Sequence, residues 1–219
     1  MTDLKRTHPN VIKQGADLAD ATATIILIHG RGATADSIIR LADALDPEAR
    51  HPIAWIAPQA DGNSWYPYPF LEGIETNEPH RTTALQTIDG LIQRATDAGI
   101  PLEKIGLIGF SQGACLVLEY AGWGGQQPGF VGALSGGVMG PLDLERSITG
   151  DRTGIRVFIG CGDRDGHIPL AHAERSARLL EGAGATVDYR AYLGFSHAIN
   201  DNEIEALRAA VTRLVDTDT

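Results

Sequence analysis

Lysine, cysteine and uninterrupted apolar sequence are all scarce in this chain of 219 residues. Lysine occurs only at Lys5, Lys13 and Lys104, and Lys plus Arg number 18 against 28 Asp plus Glu, a formal net charge of −10. That balance repels nucleic-acid backbones and anionic membrane surfaces, so neither is expected as a partner. Two cysteines, Cys115 and Cys161, are too few to staple a secreted scaffold and read as buried thiols. No apolar run approaches the ~18 residues of a membrane-spanning helix, and the first ten residues lack the apolar core of a secretory signal. A cytoplasmic protein without stable membrane insertion is expected. Internal repeats and linkers are missing too. A composition of 43% hydrophobic and 21% charged residues excludes a disordered chain and suits one domain over residues 1–219 with a sizeable core.

What is present alternates. Short aliphatic runs at Thr24–Ile28, Ile53–Ala57, Ile105–Ile108, Phe130–Leu134, Ile155–Ile159 and Val187–Tyr192 read as strands. Most are apolar throughout, as in strands covered on both faces of a parallel sheet. Between them, apolar residues at helical spacing predict helices over 35–45, 80–98, 112–122, 169–182 and 201–215. Strand and helix in alternation predict a doubly wound α/β fold. Val11–Ala23 reads as an added antiparallel strand at the sheet edge. Residues 58–79, with four prolines and four aromatics, form a long irregular stretch of the kind that serves a site.

Straight after the third strand of the alternation comes Gly109-Phe-Ser111-Gln-Gly113, then a helical run. A serine in such a strand-turn-helix elbow is held in a strained, exposed turn, and flanking glycines remove the side chains that would collide there. The plain alternative, a helix start capped by a serine, leaves the glycines unexplained. A nucleophilic serine needs a base and an acid. Downstream, Asp163 and Asp165 follow one strand and His197 follows the next, each where catalytic groups gather in open parallel sheets. His197 would accept the proton of Ser111, and one of the two aspartates would orient the imidazole. His8, His51 and His80 read as surface residues. Upstream, His29-Gly-Arg31-Gly-Ala-Thr34 follows the first buried strand. Its backbone can turn N–H groups into the site, and the N–H groups of Arg31 and Gln112 are the natural pair for an oxyanion hole. His29 reads as a loop-structuring residue. The Arg31 side chain is expected at the site mouth, choosing substrates.

These motifs, with Ser135-Gly-Gly137 and Gly162-Asp-Arg-Asp-Gly-His-Ile-Pro169, resemble the phospholipase/carboxylesterase family of small α/β-hydrolases, which includes acyl-protein thioesterases. The resemblance covers about residues 24–215. It implies an α/β-hydrolase fold with a mostly parallel central sheet, helices on both faces and no large cap domain. It also implies a serine esterase, possessing neither cofactor nor metal, that hydrolyses short to medium acyl esters or thioesters through an acyl-enzyme on Ser111. The family's acid-loop pattern falls on Gly162, Asp165, Ile168 and Pro169 and so selects Asp165. Arg31 and Cys161 depart from the Leu and His of many relatives, which leaves substrate preference open. Relatives of this size often form dimers, so a homodimer is an expectation as well.

Other chemistries fit less of the chain. Gly30-Arg-Gly-Ala-Thr-Ala35 matches a dinucleotide fingerprint, yet the acid required after the second strand is poorly placed and Ser111, Asp165 and His197 go unused. A calcium loop from Asp163 and Asp165 fails because Ile168 occupies its glycine position. His167 and His172 lack zinc spacing. A lysophospholipase or acyl-protein thioesterase stays within the same fold. Trp65 and Tyr66, with Tyr68 and Phe70, read as the wall of a substrate pocket, and Cys115 as a small core residue under the elbow helix. With 58–79 alone to cover it, that pocket should be an open groove.

Overall fold

The computed structural model describes residues 10–216, so His8 lies outside the described residues. Seven strands form one sheet: β1 (Val11–Gly15), β2 (Ala23–Ile28), β3 (Ile53–Pro58), β4 (Ile105–Phe110), β5 (Phe130–Leu134), β6 (Arg156–Gly162) and β7 (Thr186–Tyr192), in the order β1-β3-β2-β4-β5-β6-β7. All pairings are parallel except β1 with β3, so the edge strand expected from Val11–Ala23 forms over its first five residues. Strands β2, β3 and β5 are buried at every position. Alternate residues divide between two cores. Ile26, Ile28, Leu107, Val131 and Ile159 enter one, Ile25, Leu27, Ile108, Phe130 and Phe158 the other. Both faces are therefore apolar, which is why the strands read as continuous hydrophobic runs.

One core is covered by α3 (His80–Asp97), α4 (Gln112–Trp123) and α5 (Leu170–Gly182), the other by α1 (Ala35–Ile38), α2 (Leu41–Leu45) and α6 (Asp201–Asp216). The helix predicted over 35–45 is broken. Ala42 and Asp43 donate to the carbonyls of Ile39 and Arg40, three residues back, and this tighter winding separates α1 from α2. Helix α4 is buried from Gln112 to Gly122 because it lies between sheet and neighbours.

A second irregular segment, 135–155, joins β5 to β6 and was not foreseen beside 58–79. Successive connections from β2 lead first outward to β3 and then back across to β4. The strand order reverses between β2 and β4, and in open α/β sheets the crevice at that point, beyond the carboxyl ends of the strands, receives ligands.

Candidate active site

Ser111 stands at that point, between β4 and α4, with φ 56° and ψ −118°. Few residues other than glycine adopt such a backbone, and the surroundings enforce it here. The Ser111 N–H donates to Leu134 O at 2.9 Å, and the Cys115 N–H donates to Ser111 O at 3.0 Å. A β-carbon on Gly109 would sit 2.3 Å from Gly113 O, and one on Gly113 would sit 2.1 Å from Ile28 O. The elbow therefore packs directly on the end of β2, and neither glycine can carry a side chain.

Two further strands deliver the partners. Asp165 follows β6 and His197 follows β7. Their loops are knitted together by the Asp163 N–H on Tyr192 O at 3.0 Å, the Arg164 N–H on Phe195 O at 3.0 Å and the Gly194 N–H on the Asp163 carboxylate at 2.6 Å. His197 Nε2 lies 2.9 Å from Ser111 Oγ and His197 Nδ1 lies 2.7 Å from Asp165 Oδ2. The Asp165 carboxylate is fully buried, and its second oxygen accepts the N–H groups of His167 at 2.8 Å and Ile168 at 2.9 Å. Burial alone would raise its pKa, but the bonds from His197, Ile168 and His167 outweigh burial and hold it below the usual carboxylate value. Asp165 is thus an anion throughout the neutral range, able to fix Nδ1–H and leave Nε2 as acceptor. The His197 ring packs between Phe110 and His167, at centroid separations of 4.9 and 4.8 Å. Among the described residues, no hydrogen bond joins Asp163 to Ser111 or His197.

The turn after β2 brings Arg31 opposite the elbow. Among the described residues, no acceptor engages the backbone N–H of Arg31 or of Gln112. His29 is fully buried behind them. Its Nδ1 donates to Gly30 O at 2.8 Å, its Nε2 accepts the Ala60 N–H at 3.1 Å, and burial lowers its pKa, so it stays neutral and holds the loop. The turn's Gly32 N–H is spent on Asn63 O at 2.8 Å, and the helix that follows has only four residues, so the dinucleotide alternative has no phosphate cradle.

A cleft of about 630 Å³ opens over Ser111, bounded by Arg31, Tyr66, Phe70, Phe110, His167 and His197 among others. Tyr66 and Phe70 of the foreseen wall are present. Trp65 is not. Its indole N–H donates to His29 O at 2.8 Å, its backbone N–H to Gln112 Oε1 at 2.9 Å, and it borders a second depression of about 440 Å³ on the other side of Tyr66 and Pro67. An indole committed to the loop's own backbone supports the wall from behind. Cys115 borders the cleft as well, but burial pushes its thiol up to about 12, so it is no thiolate at neutral pH. His167, Phe110 and Ile168 were missed. His167 carried one available signal, its position two residues from Asp165 in a loop already singled out.

The phospholipase/carboxylesterase family model matches residues 8–214. The chain belongs to this family. Membership makes it an α/β-hydrolase and a serine hydrolase of esters. A crystal structure of a phospholipase/carboxylesterase from Dyadobacter fermentans is 35% identical, covers 93% of this chain and 96% of its own, and superposes with a TM-score of 0.84. Acyl-protein thioesterase 1 of Saccharomyces cerevisiae is 26% identical over 93% of this chain and 98% of its own length. A probable carboxylesterase, SOBER1-like, of Arabidopsis thaliana is 22% identical over 86% of this chain and 78% of its own. Among the described residues of this family member, no helix is long and apolar enough to cross a membrane, and no cluster of side chains is suited to a metal ion.

Proposed function

We propose that the chain is a carboxylesterase that acylates Ser111, with His197 as general base and acid, Asp165 as the orienting carboxylate, and the N–H groups of Arg31 and Gln112 as the oxyanion hole. The observation that carries this reading is the continuous relay from Ser111 Oγ through His197 to the buried Asp165. As Oγ attacks the acyl carbon, its proton passes to Nε2 and the carbonyl electrons move onto oxygen between the two N–H groups. Collapse of the tetrahedral intermediate expels the alcohol or thiol, which takes the proton from Nε2. Water then repeats the sequence on the acyl-enzyme and releases the acid, restoring Ser111.

The substrates proposed are short to medium acyl esters. Tyr66, Pro69, Phe70 and Ile168 offer an apolar surface inside a cleft of limited volume. Each methylene buried there adds ~0.8 kcal/mol until the groove ends. Thioesters are a second reading, favoured by the likeness to the yeast acyl-protein thioesterase over most of both chains. We further infer one catalytic domain spanning the chain, a homodimer, and a cytoplasmic setting in keeping with two buried free thiols.

The test is labelling with a fluorophosphonate, location of the adduct by mass spectrometry, and p-nitrophenyl esters from acetate to palmitate with matched thioesters. An adduct on Ser111, inactivity of Ser111→Ala and a maximum at intermediate chain length are expected. An adduct elsewhere, or an active Ser111→Ala protein, overturns the acyl-enzyme. Highest rates on palmitate with a jump at micelle formation would overturn the open groove.

A further inference from the structure

The two oxyanion donors proposed above belong to separate segments, the turn after β2 and the first residue of α4. They act only if both N–H groups meet one oxygen, each at about 3 Å. The pairing of β2 with β4 ends at Ile28 and Gly109, short of both. Among the described residues, no hydrogen bond then joins the turn 30–33 directly to 110–113. The connection runs instead through side chains and a third segment. Arg31 Nη2 donates to Tyr66 O at 2.9 Å, and Gln112 Nε2 donates to the same oxygen at 2.8 Å. Ser64 Oγ is a third donor to it at 2.9 Å. Arg31 also donates to Pro67 O at 2.8 Å and Tyr68 O at 2.9 Å, while Gln112 Oε1 accepts the Trp65 N–H at 2.9 Å.

We propose that the side chains of Arg31 and Gln112 are positioning residues, which set the oxyanion hole by gripping one shared carbonyl, that of Tyr66, in the cleft wall. The proposal rests on the acyl-enzyme reading and adds a role for side chains whose backbone N–H groups do the chemistry. The Gln112 amide is buried and both its ends are engaged, so it holds one orientation. The guanidinium, a rigid planar fork, spans three consecutive carbonyls that a point charge could not bridge. Each oxyanion residue thereby carries a backbone donor facing the cleft and a side chain locked to a common anchor. The geometry assigns the Arg31 guanidinium to the wall, where the sequence suggested substrate choice.

The experiment compares Arg31→Leu, Arg31→Lys, Ser64→Ala, Gln112→Leu and the Arg31→Leu/Gln112→Leu double variant. Readouts are kcat and KM on several esters and the affinity of a trifluoromethyl ketone, whose hemiketal oxygen occupies the oxyanion position. Arg31→Leu is expected to lower kcat about 10–100-fold, less than the ~10²–10³ of losing a donor outright, with little change in KM on any ester. Ketone affinity should fall by the same factor. Arg31→Lys should recover part of the loss, and Ser64→Ala should show a smaller loss of the same kind. The double variant should lose less than the product of its singles, because both grips serve one carbonyl. Should Gln112→Leu fail to fold, the Arg31 and Ser64 variants decide alone. Unchanged kcat in Arg31→Leu, a KM rise confined to some esters, or multiplicative losses overturns the proposal. Ser111→Ala separates the two levels: if it is inactive while Arg31→Leu keeps full kcat, only the shared-anchor inference falls. If it is active, the acyl-enzyme itself falls.

Discussion

Glu203 is held where a charge is poorly tolerated. The residue is 1% exposed in the first turn of α6. Its carboxylate accepts the Asn200 N–H at 2.9 Å, and Asn200 Oδ1 accepts the Glu203 N–H at 2.9 Å, a reciprocal cap three residues beyond His197. Burial outweighs that hydrogen bond and pushes the carboxyl from its ordinary 4.5 up to about 7. Nearby Tyr192 and Cys161 are neutral in this range and add no like charge. At about 1.4 kcal/mol per tenfold change in proton affinity, holding the anion in this site costs folding about 3 kcal/mol. The folded chain keeps the proton to higher pH than the unfolded chain does. The penalty is therefore absent below about 4.5, grows between about 4.5 and about 7, and is complete above that. Glu203→Gln removes the charge and keeps an oxygen for the Asn200 N–H, but gives up the attraction of an anion for a helix N-terminus, about 0.3–1 kcal/mol. The net expectation is a gain of about 2 kcal/mol at pH 8, or about 4–8 °C in Tm, and no gain at pH 4, where the folded carboxyl is already neutral. Urea and thermal unfolding of both proteins at several pH values measure the difference. A difference that does not vary with pH, or a variant weaker at pH 8, refutes the reasoning.

Three further outcomes follow from the acid loop, the elbow and α3. Asp165→Asn should lower kcat by about 10⁴, since an amide does not hold the reactive imidazole tautomer. Asp163→Asn should lower it far less, because the amide oxygen still accepts the Gly194 N–H; the reverse ranking in steady-state kinetics would place the acid at Asp163. Gly113→Ala should give little folded protein on expression, its methyl having no room against Ile28 O. Gly90→Ala, exposed inside α3 with open space at the β-carbon, should add about 0.5–1 kcal/mol in urea unfolding.

The strands were legible because both faces of the sheet are covered, so nearly every residue of β2, β3 and β5 is apolar and their limits show as the apolar run ends. Ser111, Asp165 and His197 were legible for a related reason. Each follows a strand, and a strand end before a glycine-rich turn is marked in sequence. The wall was less so. Trp65 and Tyr66 are adjacent aromatics in one irregular stretch, yet one borders the cleft and the other lies behind it, a choice made by backbone hydrogen bonds to His29 and Gln112 that leave no periodic trace. Segment 135–155 was invisible as a support of that wall because what fixes it is remote. Glu119 on α4, fully buried, takes hydrogen bonds from Arg81, Arg146 and the Met139 N–H, and Arg175 on α5 donates to the carbonyls of Gly140, Pro141 and Leu144.

That charge cluster bears on how the cleft works. Glu119 without its arginines would be a bare anion in the core, and removing one partner of a buried pair typically costs about 3–5 kcal/mol, so the segment it anchors is not free to swing. Arg146 also lies 3.5 Å over the Trp123 ring. The same segment supports the cleft wall from behind, where the Gly140 N–H donates to Phe70 O at 2.8 Å. The Tyr66–Phe70 wall is thus fastened to α4 directly and, through this segment, a second time. Gln112 at its first residue holds Tyr66, and Glu119, seven residues on, holds 139–146. The helix that follows Ser111, the proposed nucleophile, therefore also fixes the shape of the groove, and on the proposed reading selection among acyl groups falls to a preformed surface instead of a closing lid.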